Sequence, residues 1–491
     1  MDLGENALTA LPVPGPTYPR RDIGVGIVHF GVGGFHRAHQ AMYVDRLLEG
    51  AGARNWGICG VGVMPGDRRM RHALAAQDGL YTLILRHPDG TWEPRVIGSI
   101  VDYRYAPEDP EAVIELIAAP TTRIVALTVT EGGYNIRHDT GEFDVDDPAV
   151  RRDVEHPDAP TTVFGLVTAA LGRRRERGLP SPTIMSCDNI EGNGTVARRA
   201  FTSFAALVDP GLADWMREHT RFPNSMVDRI TPVTTDDIAP ELDARFGVRD
   251  RWPVVAEPFT SWVLEDDFSC GRPAFDEAGV QLVDDVAPYE LMKLRLLNAS
   301  HQALAYFAHL CGYRYVHEAA QDPLFAEFLL EYMDAEATPT LRPVPGIDLA
   351  QYKRTLIERF ANPEIRDTVA RLCAESSDRI PKWLLPVARE NLATGGSVRL
   401  AAAVVASWAR YAEGTDEAGE RIEVVDRLAG TLGPLARSQR GNPTAFLENR
   451  SVFGDLADEP RFVDAYRWAL DSLHRNGARA TLEALRSRVG S

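Results

Sequence analysis

The sequence predicts an α/β fold class in two regions: a mainly parallel sheet within residues 1–283, then an all-helical stretch within 284–491. Three observations predict it. An apolar strand runs into a glycine turn and a helix between Gly24 and Glu49. Continuous apolar segments, the pattern of strands covered on both faces, alternate with helical stretches as far as Asp188. From Pro288 onward helical periodicity takes over, as at 349–361, 363–375, 381–393, 397–413 and 462–487.

Composition narrows the function class. The chain has 491 residues, 44% hydrophobic and 25% charged, enough to bury sizeable cores. A net charge of −17 argues against nucleic acid or an anionic membrane as partner. Five widely spaced cysteines form no CxxC pair, so neither a zinc knuckle nor a disulfide framework is expected, and no metal site is predicted. The acidic start has no apolar leader, and no apolar run approaches the ~20 residues of a membrane span. A reduced, cytoplasmic protein is expected. Nothing demands an oligomer, so a monomer is the expectation.

Taken in order, residues 1–22 hold four prolines and no period, which predicts an extended arm. The first strand then ends at Phe30, and a helix is expected from Phe35 to Glu49. Gly31 and Gly33 supply two glycines of a GxGxxG turn, with His36 in the third place. Backbone N–H groups at such a helix start suit a pyrophosphate, so Phe30, Gly31, Gly33, Gly34 and Phe35 are candidate cofactor-binding residues of a Rossmann-like domain. A second strand, 56–63, leads to Asp67, whose carboxylate can accept ribose hydroxyls and repel a 2′-phosphate. Arg68 and Arg69 follow it and would soften that discrimination. A solvated Pro-Gly-Asp turn is the plainer reading of Asp67.

Residues 80–105 read as a hairpin around Pro88-Asp-Gly90. The strand 123–130 ends at Thr130 and Glu131, at the carboxyl edge where such sheets bind ligands, and both join the cofactor candidates. After a helix at 161–177 comes the strand Thr183–Asp188, with Asn189 placed to face a cofactor's reactive ring. Residues 222–238 are too irregular for a plain helix, and strand-like segments follow at 252–264 and 280–283.

The stretch Pro288–Leu310 carries the chemistry. It reads as one apolar helix, opened by Pro288 and stopped near Gly312, yet it holds Lys293, Asn298 and His301. At about 100° per residue these fall near 0°, 140° and 80°, on one broad face. Desolvation lowers a lysine's pKa toward the range where it can take a proton, while an amide and an imidazole supply directed hydrogen bonds. A snorkelling lysine with two satisfied core groups is the bland alternative.

Gly31-Val-Gly-Gly-Phe-His-Arg-Ala-His39, Thr130-Glu-Gly-Gly-Tyr134, Ser186-Cys-Asp-Asn189, Val227-Asp-Arg-Ile-Thr231 and Lys293…Asn298…His301 together resemble the polyol-specific long-chain dehydrogenases. The resemblance runs from about residue 22 onward. It implies NAD as cofactor, a small polyol or ketose as substrate, and reversible oxidation of mannitol to fructose without a catalytic metal. It also implies roles: Lys293 as general acid–base, Asn189 and Asn298 as holders of the reacting oxygen, His301 and Asp228 as contacts to substrate hydroxyls. Arg371 and Arg379 fall on substrate-side basic positions, the second often lysine in relatives. Where relatives often have another acid just before the aspartate, this chain has Gly66, which weakens strict preference for NAD. Arabinitol or fructuronate as substrate stays open, as does a dinucleotide-binding protein without catalysis. Since Asn189 falls in the first region and Lys293 in the second, residues of both must meet if the roles hold.

Overall fold

The apolar segments of the first region become strands because every side chain on them can be covered. In the computed structural model, which describes residues 1–137 and 140–487, the chain divides into two units, Met1–Ala287 and Pro288–Ser491. The strands of the first are β1 (Val25–Phe30), β2 (Gly57–Gly62), β3 (Tyr81–Arg86), β4 (Trp92–Ile97), β5 (Ile100–Tyr105), β6 (Ile124–Leu127), β7 (Thr183–Ser186), β8 (Ser225–Asp228), β9 (Val254–Ala256), β10 (Ser261–Glu265) and β11 (Gln281–Val283). Five of them form one parallel sheet in the order β5-β2-β1-β6-β7. Alternate residues serve two cores: Ile27, Ile58, Ala126 and Met185 one, Val28, Val61, Val125 and Ile184 the other. The chain leaves β1 in both directions, so the carboxyl ends of β1 and β6 flank the switch point where open α/β sheets bind ligands.

Helix starts follow a repeated device. Asp109, Asp147, Asp209 and Asp322 each precede a proline and accept a backbone N–H of the first turn. Proline at the first helical position has no N–H to leave unsatisfied, so the pair terminates and opens helices sharply. In the second unit the buried helix Arg399–Ala412 packs against Pro460–Ser487, which kinks at Gly477, and against Ala299–Leu310. Its start is held by the buried Glu336 carboxylate, which accepts the Leu400 and Ala401 N–H groups at 2.8 Å each.

Several expectations are corrected. The first 22 residues are not a plain extended arm: Glu5–Ala10 is a 3-10 helix, Leu3 donates to the Arg249 carbonyl at 3.1 Å, and Leu3, Val13 and Arg20 are buried. The hairpin is β3–β4, extended by β9 into a separate three-stranded sheet, whereas β5 is an edge strand of the parallel sheet. The helix after the glycine turn breaks at His39 into Gly34–Ala38 and Gln40–Leu48. As expected, 222–238 is no plain helix, and it holds β8, antiparallel to β10. The 381–393 helix is two, Ser376–Trp383 and Leu385–Thr394, because Pro386 cannot donate back along a continuous ladder. Of 363–375 only Val369–Cys373 is helical.

Candidate active site

The glycine turn after β1 is shaped by contact with β6. Gly31 has φ +87°, and a Cβ on it would stand 2.0 Å from the Thr128 carbonyl oxygen. Only glycine meets both demands. Thr128 Oγ1 donates to the Gly31 carbonyl at 2.6 Å and meets His29 Nε2 at 2.9 Å, which ties the two loops together. Gly33 precedes the helix Gly34–Ala38 with no side-chain cap, and a Cβ there would meet nothing nearer than the Gly31 oxygen at 4.0 Å. An exposed cradle with open space above and uncapped N–H groups fits a dinucleotide pyrophosphate. Phe30 is buried at the strand end and Phe35 half-buried behind the turn.

The motif histidines pack inward. His29 and His36 stack with ring centroids 3.5 Å apart and are fully buried. Burial pushes His29 down to about 3 and His36 well below its ordinary value, so both rings are neutral. His39 meets the Ser261 carbonyl at 3.0 Å and stacks near Phe35.

Asp67 has two roles at once. Its Oδ2 accepts the Val63 and Met64 N–H groups at 2.9 Å each, closing the turn after β2. Oδ1 accepts no hydrogen bond among the described residues, which leaves it for a ribose hydroxyl. The arginines beside it are engaged: Arg69 lies 4.4 Å over the Trp252 ring, and Arg68 lies 5.5 Å over Tyr105 and 3.8 Å from Glu108. Glycine is needed at position 62, where a Cβ would stand 2.6 Å from both the Asp67 Cβ and the Tyr103 hydroxyl.

Beyond β6 the backbone is strained. Thr130 has φ 65° and ψ 168°, a region that is almost glycine's alone, at a cost of about 1–3 kcal/mol. The buried Asp188 carboxylate accepts the Thr130 N–H at 2.9 Å, the Val129 N–H at 3.0 Å and the Tyr134 hydroxyl at 2.7 Å. Thr130, Glu131 and Asn189 are exposed at the carboxyl ends of β6 and β7. Asp228 is buried at the end of β8, in the small sheet rather than the parallel one.

In the second unit, Lys293–Asn298 is wound as a π-helix between the α-helices Ala287–Met292 and Ala299–Leu310. This corrects the uniform 100° wheel. A turn closed by i→i+5 bonds brings positions five apart toward one column, and Lys293 and Asn298 are five apart. Both are buried, and His301 follows Asn298 after one α-turn, with its ring 4.3 Å from that of Phe360. The π segment is anchored by Arg295, whose guanidinium grips Glu390 through two bonds of 2.6 Å and donates to the Thr340 carbonyl at 2.7 Å. Arg371 and Arg379 come together on elements packed beside Ala299–Leu310: Arg379 donates to the Arg371 carbonyl at 3.0 Å, and Gln302 to the Leu372 carbonyl at 3.3 Å. Arg371 forks onto Asp367, with Nε–Oδ1 at 2.6 Å.

Residues 25–277 match the model of the mannitol dehydrogenase Rossmann domain, and 285–474 that of the mannitol dehydrogenase C-terminal domain. The chain belongs to the mannitol dehydrogenase family. Among its relatives, mannitol 2-dehydrogenase of Phaeosphaeria nodorum is 46% identical over 95% of this chain and 82% of that protein. That of Aspergillus fumigatus is 45% identical over 95% and 94%. The solved ternary complex of Pseudomonas fluorescens mannitol 2-dehydrogenase with NAD and D-mannitol is 45% identical, with a TM-score of 0.89 over 99% of this chain and 100% of that one. A substrate-free D-sorbitol dehydrogenase is 38% identical, with a TM-score of 0.92 over 98% and 100%.

Three residues of this family member escaped the sequence reading. Arg229, in the Val-Asp-Arg motif, donates to the Ala38 carbonyl at 2.7 Å and the Glu257 carbonyl at 3.0 Å, joining β8 to the glycine-turn helix. Burial lowers its pKa to about 10. Asp188 and Arg295 also anchor site segments, and their partners lie far off in sequence. The motif letters alone flagged the first two. Among the described residues no group of three or more His, Cys, Asp or Glu could hold a metal ion, and no helix is long and apolar enough to cross a membrane.

Proposed function

We propose that the chain catalyses NAD-dependent, reversible oxidation of mannitol to fructose. The observation that carries this is the 45% identity, across 99% of the chain, to an enzyme solved with NAD and D-mannitol. NAD, when bound, accepts the hydride from the substrate's secondary alcohol. Phe30, Gly31, Gly33, Gly34, Phe35, Asp67, Thr130 and Glu131 would hold the dinucleotide. Lys293 in its neutral form takes the hydroxyl proton, and as ammonium returns it in the reverse direction. Asn189 and Asn298 donate to the developing alkoxide, each such donor stabilising it by about 3–4 kcal/mol. His301, Asp228, Arg371 and Arg379 read the remaining hydroxyls. Lysine as the base leaves no step that needs a metal.

The two arginines differ in how far their donors are committed. Arg371 already pairs with Asp367, whereas Arg379 spends Nη1 alone on two carbonyls. Arg379 keeps its Nε and Nη2 groups, a fork of the kind that grips a carboxylate, so fructuronate stands as the alternative substrate. Initial rates with mannitol, arabinitol, sorbitol, fructose and fructuronate, each with both nicotinamide cofactors, test the reading. Mannitol with NAD and fructose with NADH should give the highest efficiencies, unchanged by dialysis against EDTA. Faster reduction of fructuronate, or activity lost to EDTA and restored by zinc, would overturn it.

A further inference from the structure

We propose that Asp188 is a positioning residue for the reaction: by holding the Val129 and Thr130 N–H groups it keeps Thr130 in its left-handed backbone state and the cofactor-side loop in register with Asn189. The inference rests on the functional reading above but concerns a residue with no assigned role. A β-branched residue at φ 65° and ψ 168° does not adopt that state unaided. Around it the structure over-determines the loop. Both Asp188 oxygens are engaged by it, and the carboxylate is braced by the Tyr134 hydroxyl, which also meets Ser186 at 2.7 Å. The Asp188 carbonyl is held in turn by Asn193 at 3.0 Å, and Asn193 bonds Ser225 at the start of β8. Asn189 is the next residue after this clamp. The loops after β6 and β7 are therefore joined through one side chain.

The test is a double-mutant cycle of Asp188→Asn and Thr130→Gly. Asparagine keeps one acceptor but turns an NH₂ toward a backbone donor, so the clamp fails. Glycine adopts the strained backbone state freely and no longer needs the clamp. With Thr130 in place, Asp188→Asn should weaken NADH binding, read by fluorescence titration, and lower kcat, each by about tenfold or more. In the Thr130→Gly background the same change should have an effect of about threefold or less. Hydrogen exchange of the segment 128–134 should quicken in Asp188→Asn alone, a readout that needs neither substrate nor cofactor. Equal factors in both backgrounds, or no effect of Asp188→Asn, would overturn the proposal. Should that variant not fold, Tyr134→Phe takes its place in the cycle, with a penalty of a few-fold that Thr130→Gly removes; a persistent or absent penalty overturns the proposal equally. A wild-type chain inactive on every polyol would overturn the functional reading instead, and the exchange experiment would still decide the role of Asp188.

Discussion

The two units carry their candidate residues on different materials. In the first, the candidate cofactor cradle is backbone: the turn at Gly31–Gly34, the loop at Thr130 and the turn capped by Asp67, each at the carboxyl end of a strand. Side chains such as Thr128, Asp188 and Asp67 serve to hold that backbone in place. In the second, the candidate residues are side chains on helical winding, with Lys293 and Asn298 in a π turn and His301 in the α-turn after it. A backbone cradle tolerates varied side chains but not an added Cβ. A side-chain constellation tolerates little change of identity or of helical phase.

The comparison predicts opposite signatures for a change in each half. Lys293→Ala should lower turnover by about 10²–10⁴-fold while leaving NADH affinity nearly intact. In wild type, mannitol oxidation should rise with pH through one ionisation and fructose reduction fall, and the variant should lose both dependences. A variant that kept the wild-type pH profile and lost only mannitol affinity would make Lys293 a binding group. Gly31→Ala should do the reverse. Its Cβ would stand 2.0 Å from the Thr128 oxygen, so the turn must open, and NADH affinity should fall by about 10–100-fold with little change in the KM for fructose. Wild-type NADH affinity in this variant would place the dinucleotide elsewhere.

The buried histidine pair sharpens the same contrast through pH. Burial holds His29 down to about 3, against about 6.5 in the unfolded chain, and His36 is also lowered. Between those values the unfolded state binds more protons, so the stabilising term is complete above about 6.5 and is lost as pH falls. Each histidine adds a slope of about 1.4 kcal/mol per pH unit. The urea midpoint of the first unit should drop from pH 6.5 to 5, and His36→Gln should flatten the decline. A flat wild-type profile would mean the rings are not neutral and buried as a pair.

The smallest effect is expected at Asp67. Asp67→Ala removes a charge that repels a 2′-phosphate but also the cap on Val63 and Met64. Both cofactors should bind more weakly, with the ratio of efficiencies moving about fivefold toward NADP. The shift is modest because Arg68 and Arg69 are occupied by Tyr105, Glu108 and Trp252. An unchanged ratio would leave Asp67 as a turn residue alone.

Much of this was determined by the sequence itself. Periodicity and glycine placement specify β1, its turn and the following helix start, because strand burial and positive φ are local demands. The composition of the second half specifies helices for the same reason. Tertiary structure decided what depends on distant partners. The strand β8 forms only by pairing with β10, and β5 joins the parallel sheet rather than the hairpin before it. The Thr130 backbone is held in a state its own residue type disfavours by Asp188, 58 residues away. The π turn that brings Lys293 and Asn298 toward one column is anchored by Arg295 on Glu390, 95 residues away. No local rule reports such departures, because each trades a local preference for a contact made across the fold.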